Sequence, residues 1–294
     1  MKSSIIIISN PAAKSASKKK IQGAYHLLRS KGYAVDILFT KQRGEAENIA
    51  REAVNKRPFL VIAAGGDGTF NEVINGMVNS DIPMAILPMG TTNVLAKEIG
   101  VPENVEGAIE IAIKGTPHVV SLGKIIAGYQ SSRITRYFVL MAGIGYDGES
   151  VYRINENLKK ISGKGVYILS GIKTLIRFKP EALTCDINEK TYKVYSLIVG
   201  KAAKYGGNLK ITPDAKLTEP TLYVCLFKGK RRFDILRYVA GILINRHIMF
   251  EDVEYLKTES IQIKGKAHIQ LDGDYFGLSP ASIEVEPNSL RLIY

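Results

Sequence analysis

Short apolar runs and segments with helical spacing alternate along the first third of the chain. Ser4–Ile8 and Phe59–Ala63 are continuous apolar runs with the length of buried strands, and Lys18–Lys31 has helical spacing that stops before Gly32. The same alternation predicts four further elements: strands Ala34–Phe39 and Met84–Leu87, and helices Gly44–Asn55 and Phe70–Val78. Strands that alternate with helices in this way predict a mostly parallel sheet covered on both faces.

The pattern changes after about Lys114, where strand-like runs follow one another without regular helices between them. The runs are Val119–Ile126, Tyr137–Ala142, Leu183–Ile187, Tyr192–Val199, Leu222–Phe227, Ile261–Ile263, Ala267–Leu271 and Ser282–Val285. They predict an antiparallel, β-rich second domain, a sandwich of sheets. We therefore place an α/β domain at 1–122 and a β-rich domain at 123–285, and leave open whether 286–294 rejoins the first.

Two segments with helical spacing, Gly165–Phe178 and Arg232–Arg246, interrupt the β-rich part. Each combines apolar residues with nearby Lys and Arg, a combination that suits a helix lying on a membrane surface but also a helix packed on a core. For Arg232–Arg246 we favour packing into the core. For Gly165–Phe178 both interpretations stay open.

Composition and charge narrow the class of protein. The 294 residues are 46% hydrophobic with a net charge of +12, and 23 Lys and Arg against 15 Asp and Glu make residues 151–294 the more basic half. No apolar run is long enough to cross a bilayer, and the only two cysteines, Cys185 and Cys225, are far apart and form no metal or disulfide framework. We expect a cytoplasmic protein whose basic surface attracts phosphates or an anionic membrane.

The candidate chemistry begins at a glycine-rich turn, Gly65-Gly66-Asp67-Gly68-Thr69, directly after an apolar strand. Glycines let the backbone approach a ligand, and the helix that follows points free N–H groups at the turn, which favours phosphate there. Asp67 makes sense if a divalent cation accompanies the phosphates or if a hydroxyl loses its proton there. Asn71 and Glu72 extend the polar lining.

Polar turns also follow the neighbouring predicted strands. Pro88-Met89-Gly90-Thr91-Thr92-Asn93 comes after Met84–Leu87, Asn10-Pro11 after the first strand, and Thr40 after the second. Ligands of open α/β sheets bind along the edge where the carboxyl ends of the strands meet. The convergence of these turns on one edge predicts a nucleotide site, although any one of them alone would be an ordinary turn.

These motifs resemble those of the diacylglycerol kinase catalytic-domain family, in particular the bacterial soluble lipid kinases. The resemblance rests on Gly65–Thr69 with Asn71-Glu72 and on Gly90-Thr91-x-Asn93, and it extends to Gly143–Asp147, Tyr205-Gly206-Gly207 and Asp272-Gly273-Asp274. It implies a fold shared with NAD kinases, in which an α/β nucleotide-binding domain and a β-rich lipid-substrate domain hold ATP between them. The expected reaction moves the γ-phosphoryl group of ATP, with Mg²⁺, to a lipid hydroxyl.

The resemblance also implies roles for individual residues. The expected ATP contacts are Asn10, Pro11, Ala12, Ala13, Lys14, Thr40, Gly65, Gly66, Asp67, Gly68, Thr69, Phe70, Asn71, Glu72, Gly90, Thr91 and Asn93. Asp67 is also a candidate catalytic residue. The Asp-Gly-Glu motif of the family reads Asp272-Gly273-Asp274 here, so Asp272 and Asp274 are both candidates for the base that activates the acceptor.

The family's structural magnesium site corresponds to Ala215–Thr221. The carbonyl groups of Lys216 and Thr221 and the carboxylate of Glu219 are the candidate ligands there, although Glu219-Pro220 replaces the usual Asp-Gly. The partners implied are ATP and a membrane lipid, with transient association at the inner face of the membrane.

Other functions fit the motifs less well. Gly143–Gly148 matches the dinucleotide pattern, but no acidic residue lies between Glu156 and Glu181, where a ribose partner would stand. The chain has no P-loop, its four histidines lack metal-ligand spacing, and no RNA-binding signature accounts for its charge. Two alternatives to a lipid kinase stay open: an NAD kinase, and a nucleotide-binding peripheral membrane protein without turnover.

Overall fold

The computed structural model describes residues 3–10, 15–128, 133–157 and 180–294. Within it the chain forms two compact units, one of Met1–Ser121 with Pro287–Tyr294 and the other of Leu122–Glu286. In the part that the structure describes, no helix is both long and apolar enough to cross a membrane.

The first unit is an α/β fold around a parallel sheet. Its strands are β1 (Ser4–Ser9), β2 (Ala34–Phe39), β3 (Leu60–Gly65) and β4 (Met84–Pro88). Its helices are α1 (Ser15–Ser30), α2 (Glu45–Asn55), α3 (Asp67–Met77), α4 (Val94–Ile99) and α5 (Val105–Lys114). The strands run parallel in the order β2-β1-β3-β4, and Leu292 near the end of the chain pairs with Met84 of β4.

Burial explains why the apolar runs identified these strands. Every residue of β3 and β4 is buried, as expected for central parallel strands with both faces covered, whereas β2 at the edge is partly exposed. The predicted α/β class of the first part is therefore confirmed. Helices α4 and α5, which the sequence pattern did not predict, follow β4.

Helices α2 and α3 pack closely because Gly76 has no side chain. A Cβ atom at this position would lie 2.3 Å from the carbonyl oxygen of Glu47 and 2.8 Å from the Cβ of Ala50, both on α2. Because the nearest of these atoms belongs to the backbone, a side chain at this position would require one helix to shift away from the other. Gly76 thus sets the distance at which α3 presents its first turns to the rest of the unit.

We expect Gly76→Ala to lower the free energy of unfolding by about 1–3 kcal/mol, because overpacking of a tight contact costs that much. Urea unfolding measures the effect. Gly23→Ala in α1 is the matched control, since its added Cβ would meet only Val105, at an ordinary 3.8 Å, and should stabilise the helix slightly. Equal effects at the two positions would contradict the packing explanation.

The second unit is an antiparallel sandwich. Its strands are β5 (Pro117–Ala127, which begins in the first unit), β6 (Ile134–Phe138), β7 (Met141–Ile144), β8 (Leu183–Ile187), β9 (Lys190–Val194), β10 (Ser196–Gly200), β11 (Lys204–Tyr205), β12 (Leu209–Lys210), β13 (Leu222–Phe227), β14 (Val253–Thr258), β15 (Ser260–Lys264), β16 (His268–Leu271), β17 (Asp274–Leu278) and β18 (Ala281–Ile293, which ends in the first unit). Its helices are α6 (Tyr146–Asn157) and α7 (Arg232–Leu243), and a 3₁₀ turn follows at His247–Met249.

Two sheets enclose the core of this unit. One has the order β14-β13-β10-β7-β16-β17, and the other contains β18-β15-β8-β9 with the pair β5 and β6. Buried side chains from both sheets, among them Phe138, Leu197, Val224 and Ile263, form one hydrophobic cluster. The predicted antiparallel β sandwich is confirmed.

The prediction of one continuous strand over Tyr137–Ala142 is wrong. The chain leaves β6 after Phe138 and enters β7 at Met141. The reason is a side chain far away in sequence: the backbone N–H groups of Val139, Leu140 and Met141 all donate to the carboxylate of Asp272. The apolar run is therefore interrupted at Val139 and Leu140, because their amides bind a carboxylate and not a neighbouring strand.

The expectation that Arg232–Arg246 packs into the core is wrong for one face of its helix. Ile235, Tyr238 and Gly241 of α7 are buried, but Phe233 and Leu243 on the helix and Ile244 just after it are 75%, 59% and 64% exposed. Apolar residues stand on both the buried and the exposed faces, so periodicity alone could not separate them. The other segment, Gly165–Phe178, lies outside the described residues.

Candidate active site

The carboxyl ends of the four parallel strands meet at one edge of the first unit, as the motifs predicted. The amide of Thr40, just after β2, donates to the carbonyl of Ser9 at the end of β1 (2.9 Å). The amide of Met89, just after β4, donates to the carbonyl of Gly65 at the end of β3 (2.7 Å). Each polar turn is thus hydrogen-bonded to the end of a neighbouring strand.

Asp67 joins the two glycine-containing turns. Its carboxylate accepts hydrogen bonds from the amides of Val94 (3.0 Å) and Leu95 (3.1 Å), so it caps the N-terminus of α4 from across the edge. Burial raises the pKa of Asp67, and these two amides together with the charge of Lys97 oppose the rise. The carboxylate is therefore a positioning group that fixes the turn after β4 against the turn after β3.

The backbones of these turns touch at their glycines. A Cβ on Gly90 would lie 2.7 Å from the Cα of Gly66, so neither position has room for a side chain. Gly66 precedes α3 as an extended residue and provides no side-chain cap. The first N–H groups of α3 have no acceptor within the helix itself. Helix N-termini of this kind carry partial positive charge and favour anions.

Glu72 fastens a third turn to the same edge. One carboxylate oxygen accepts from the amide of Gly44 (2.8 Å), and the other accepts from the amide of Ala46 (3.2 Å). It therefore caps the N-terminus of α2 and holds the segment that follows Thr40. Glu72 and Asp67, five residues apart on α3, each bind a different neighbouring turn.

Three of the residues implied by the resemblance lie inside the protein. The side chain of Phe70 is fully buried in the core, and Asn71 is buried with its carbonyl and amide oxygens accepting from Asn75. Asn93 is also buried: its amide oxygen accepts from the amide of Gly90 (2.9 Å), and its nitrogen donates to Gly90 and Glu103. These side chains support the backbone of the turns, and the part of each in ATP binding stays a prediction.

The other predicted ATP contacts at this edge differ in their exposure and hydrogen bonding. The hydroxyl groups of Ser9 and Thr40 are buried and find no hydrogen-bond partner in the part of the chain that the structure describes. Gly68 and Thr69 are half-buried, and Gly90 and Thr91 are exposed. Asn10 is half-buried, whereas Pro11, Ala12, Ala13 and Lys14 lie outside the described residues.

The second unit holds the two carboxylates proposed for catalysis, and it uses them differently. Asp272, at a positive φ of 50°, accepts from three backbone amides of 139–141 at 2.9 Å each. Both of its oxygens are engaged in fixing the chain between β6 and β7. Asp274, the first residue of β17, is half-buried, and the turn at Gly273 separates the two side chains.

A buried polar network supports this turn from below. The side-chain oxygen of Gln270 accepts from the amide of Gly273 (2.7 Å), and its nitrogen donates to Asp147 (2.7 Å). The hydroxyl group of Tyr205 donates to the other oxygen of Asp147. Burial raises the pKa of Asp147, and the hydrogen bonds from Tyr205 and Gln270 oppose the rise.

The raised pKa of Asp147 predicts a pH-dependent stability difference between the wild type and Asp147→Asn. Between the ordinary Asp pKa of about 3.9 and the raised pKa of Asp147, this carboxyl group is protonated in the native protein and ionised in the unfolded chain. The unfolding free energy of the wild type should therefore fall, relative to the variant, as pH rises through that window. Urea unfolding of both proteins across a pH series measures this difference, and a difference that stays constant or grows would contradict it.

The predicted structural metal site does not fit its segment. The ammonium of Lys201, a lysine with 0% exposure, donates to the carbonyl of Lys216, and burial lowers its pKa to about 8. The carboxylate of Glu219 pairs with Lys216 (3.2 Å) and Lys257 (3.6 Å). Two of the predicted metal ligands, the Lys216 carbonyl and the Glu219 carboxylate, thus already bind lysine ammonium groups. The proposed reaction therefore uses no metal at this segment. Thr221 donates its hydroxyl to the carbonyl of Thr258.

Several residues of these networks were not predicted. Gln270 and Lys201 carry no motif, and Glu103 supports Asn93 from a position ten residues later. The one available signal for Gln270 was its place on a predicted strand two residues before Asp272. In the described part of the chain, no three His, Cys, Asp or Glu residues group as metal ligands.

Two protein-family models match the chain, one in each half. The model of the diacylglycerol kinase catalytic domain matches residues 4–125, and the model of the YegS C-terminal NAD kinase beta sandwich-like domain matches residues 141–294. A relative from Bacillus subtilis (strain 168), named diacylglycerol kinase, is 28% identical over 95% of this chain and 92% of its own. One of the same name from Staphylococcus aureus (strain bovine RF122 / ET3-1) is 28% identical over 94% and 87%.

Solved structures resemble the whole chain in fold. A crystal structure of a diacylglycerol kinase from Bacillus anthracis str. Sterne has a TM-score of 0.75 at 24% identity, and covers 99% of this chain and 97% of its own. The yeast NADH kinase complexed with NADH has a TM-score of 0.53 at 10% identity, over 99% and 83%. Both likenesses concern the fold.

Proposed function

The chain belongs to the diacylglycerol kinase catalytic domain family, a family of lipid kinases, and from this premise we propose that it transfers the γ-phosphoryl group of ATP to a lipid hydroxyl. Diacylglycerol, or a related hydroxylated lipid, is the acceptor we propose. The observation that carries the proposal is that Asp67 links the two glycine-containing turns of the first unit. The second unit of the same chain contributes Asp274, which follows a turn that Gln270 stabilises.

We assign ATP binding to the edge of the first unit. Phosphoryl transfer depends mainly on positioning and on stabilising negative charge. The N-terminus of α3 offers partial positive charge, and the close contact of Gly66 with Gly90 places the turn after β4 directly beside it. Among the described residues the hydroxyl groups of Ser9 and Thr40 have no hydrogen-bond partner, and a bound nucleotide is a partner of the right chemistry.

We assign Mg²⁺ to the phosphates of the bound nucleotide. This ion usually keeps several waters and binds through one or two carboxylates together with substrate phosphates, so it needs no cluster of three acidic residues. The carboxylate of Asp67 accepts the amides of Val94 and Leu95, and a carboxylate has about four lone-pair sites, so it fits such a role. When bound, the ion would neutralise the charge that develops on the transferred group.

We assign proton removal from the acceptor hydroxyl to Asp274. Both carboxylate oxygens of Asp272 accept hydrogen bonds from three backbone amides, and the loss of its charge would release the chain between β6 and β7. Asp274 stands half-buried at the start of β17, separated from Asp272 by the turn at Gly273. A half-buried carboxylate next to a supported turn is the better general base.

Transfer of labelled γ-phosphate from ATP tests the proposal. The purified chain is incubated with Mg²⁺ and ATP, and with diacylglycerol, phosphatidylglycerol, ceramide or NAD in parallel. We expect label in a lipid and none in NAD. Label in NAD alone would overturn the lipid assignment in favour of an NAD kinase. Bound ATP with no labelled acceptor would favour a nucleotide-binding protein without turnover.

A further inference from the structure

Helix α7 presents a continuous apolar face to solvent. Its members are Phe233, Leu236, Val239 and Leu243 on the helix and Ile244 directly after it; we call these five residues the apolar face of α7. At 3.6 residues per turn they fall on one side of the helix. Each of them is at least two-fifths exposed, and Phe233 reaches 75%. Scattered single apolar residues need no explanation, but a contiguous apolar patch marks an interaction site.

The exposure does not arise from a loosely seated helix. On the opposite face, the hydroxyl of Tyr238 accepts from the amide of Gly229 (2.8 Å) and donates to Asp252 (2.5 Å). A Cβ on Gly241 would lie 2.6 Å from the ring of Phe250, so the helix touches its neighbours at backbone distance. The second unit therefore fixes α7 in place with its apolar face outward.

Basic residues surround this face. Residues 228–252 contain six Lys and Arg (228, 230, 231, 232, 237 and 246) against three acidic residues, Asp234, Glu251 and Asp252. Arg237 pairs with Asp252, and Lys228 pairs with Glu254. Lys230, Arg231 and Arg232 stand at the N-terminus of α7, where the helix dipole disfavours positive charge. The helix dipole therefore does not explain three consecutive basic residues at this end, whereas their charge is complementary to an anionic surface.

We propose that the apolar face of α7 docks the protein on an anionic lipid bilayer, with the basic residues at its N-terminus contacting the headgroups. An apolar helix face with a basic rim is the pattern of helices that lie in the membrane interface. The inference deepens the proposed function, since it rests on an acceptor that lies in a bilayer. It names the surface that brings the protein to that bilayer.

Charge favours a lipid surface over a second copy of the chain. In a symmetric dimer the same patch faces itself, so the basic residues around one apolar face would meet those of the other. Like charges brought together across an interface cost free energy, whereas anionic headgroups attract each basic residue. The second copy is therefore an outcome that the experiment must detect.

Vesicle sedimentation tests the proposal with the full chain. The vesicles contain phosphatidylcholine alone or phosphatidylcholine with phosphatidylglycerol. We expect strong binding only to the anionic vesicles. Phe233→Ser with Leu243→Ser should weaken binding by about tenfold or more, because both apolar anchors are lost. Lys230→Gln with Arg232→Gln should weaken it by about fivefold for each charge removed.

Matched controls separate this surface from general stickiness. Ile134→Ser on β6 removes an apolar side chain that is 60% exposed, almost the same as Leu243 at 59%. Lys190→Gln with Lys193→Gln removes two exposed charges elsewhere in the second unit. Neither control should change vesicle binding, and thermal unfolding should show that all variants are folded.

The outcomes distinguish the docking surface from the proposed reaction. Turnover of a short-chain diacylglycerol dissolved as monomers should be the same in the wild type and in Phe233→Ser with Leu243→Ser. Vesicle binding lost in that variant, without any lipid kinase activity in the wild type, would uphold the docking surface and overturn the reaction. Unchanged vesicle binding in the α7 variants would overturn the docking proposal, as would a wild-type dimer that Leu243→Ser converts to monomers.

Discussion

Asp67→Asn should lower kcat for phosphoryl transfer by about a hundredfold, because a displacement of about 1 Å in a positioning group can cost that much. The carboxylate accepts from the amides of Val94 and Leu95 with separate oxygens. An asparagine offers one oxygen and turns an N–H₂ group toward the other amide, so the turn after β4 would shift away from Gly66. Initial rates at saturating ATP and diacylglycerol measure the effect.

The same substitution should cost about 0.5–2 kcal/mol of stability, the usual effect of losing a helix cap. The variant therefore stays folded at the assay temperature, and the rate loss reports on position. Asp36→Asn, an exposed position on β2, is the control and should leave both quantities unchanged. An Asp67→Asn variant within threefold of the wild-type rate would show that the link between the two turns does not govern turnover.

Asp272→Asn and Asp274→Asn should separate stability from catalysis. Asp272→Asn should lower the free energy of unfolding by about 3 kcal/mol, because charge-assisted hydrogen bonds to three amides are weakened. Asparagine tolerates the positive φ at this position, so backbone strain does not contribute. Asp274→Asn should cost less stability but reduce kcat by about 10²–10⁴-fold, the range for loss of a general base.

A third variant checks the assignment of the base. Asp274→Glu restores the longer carboxylate of the family motif and should keep kcat within about tenfold of the wild type, since the acid–base group is retained. Chemical denaturation and initial rates are measured for all three proteins at a temperature where each is folded. If Asp272→Asn kept full stability and lost all turnover, Asp272 would be the base instead.

The fold was predictable from local sequence wherever burial is complete. Strands β1, β3 and β4 read as apolar runs because both faces of a central parallel strand are covered. The break between Phe138 and Met141 was not predictable, because the group that causes it, Asp272, lies more than 130 residues later. A period of two or 3.6 residues carries no information about such a distant partner.

The candidate site was predictable as a set of turns, but not as a set of contacts. Glycines at strand ends indicated Gly65–Thr69 and Gly90–Thr91, and the structure shows that Gly66 and Gly90 lie too close together for side chains. That Asp67 binds across to α4, or that Glu72 binds back to α2, depends on the order of strands in the sheet. The buried ammonium of Lys201 likewise has no local signal, and it donates to the Lys216 carbonyl, which was one of the expected metal ligands.

The exposed face of α7 shows a different limit. Ile235 and Tyr238 of the buried face and Leu236 and Val239 of the exposed face are all apolar, so the helix is apolar nearly all round. Such a pattern usually indicates a helix buried in a core. Only the contacts of Tyr238 and Gly241 decide which side faces inward, and these require the assembled second unit.

The ratio of ADP formed to phosphorylated lipid formed tests the central proposal most directly. The purified chain is supplied with ATP, Mg²⁺ and diacylglycerol in mixed micelles, and both products are quantified over the same interval. A lipid kinase gives one phosphorylated lipid for each ADP, with neither product formed when the lipid is left out. ADP formed without phosphorylated lipid, or phosphate found on NAD while diacylglycerol stays unmodified, would contradict the assignment.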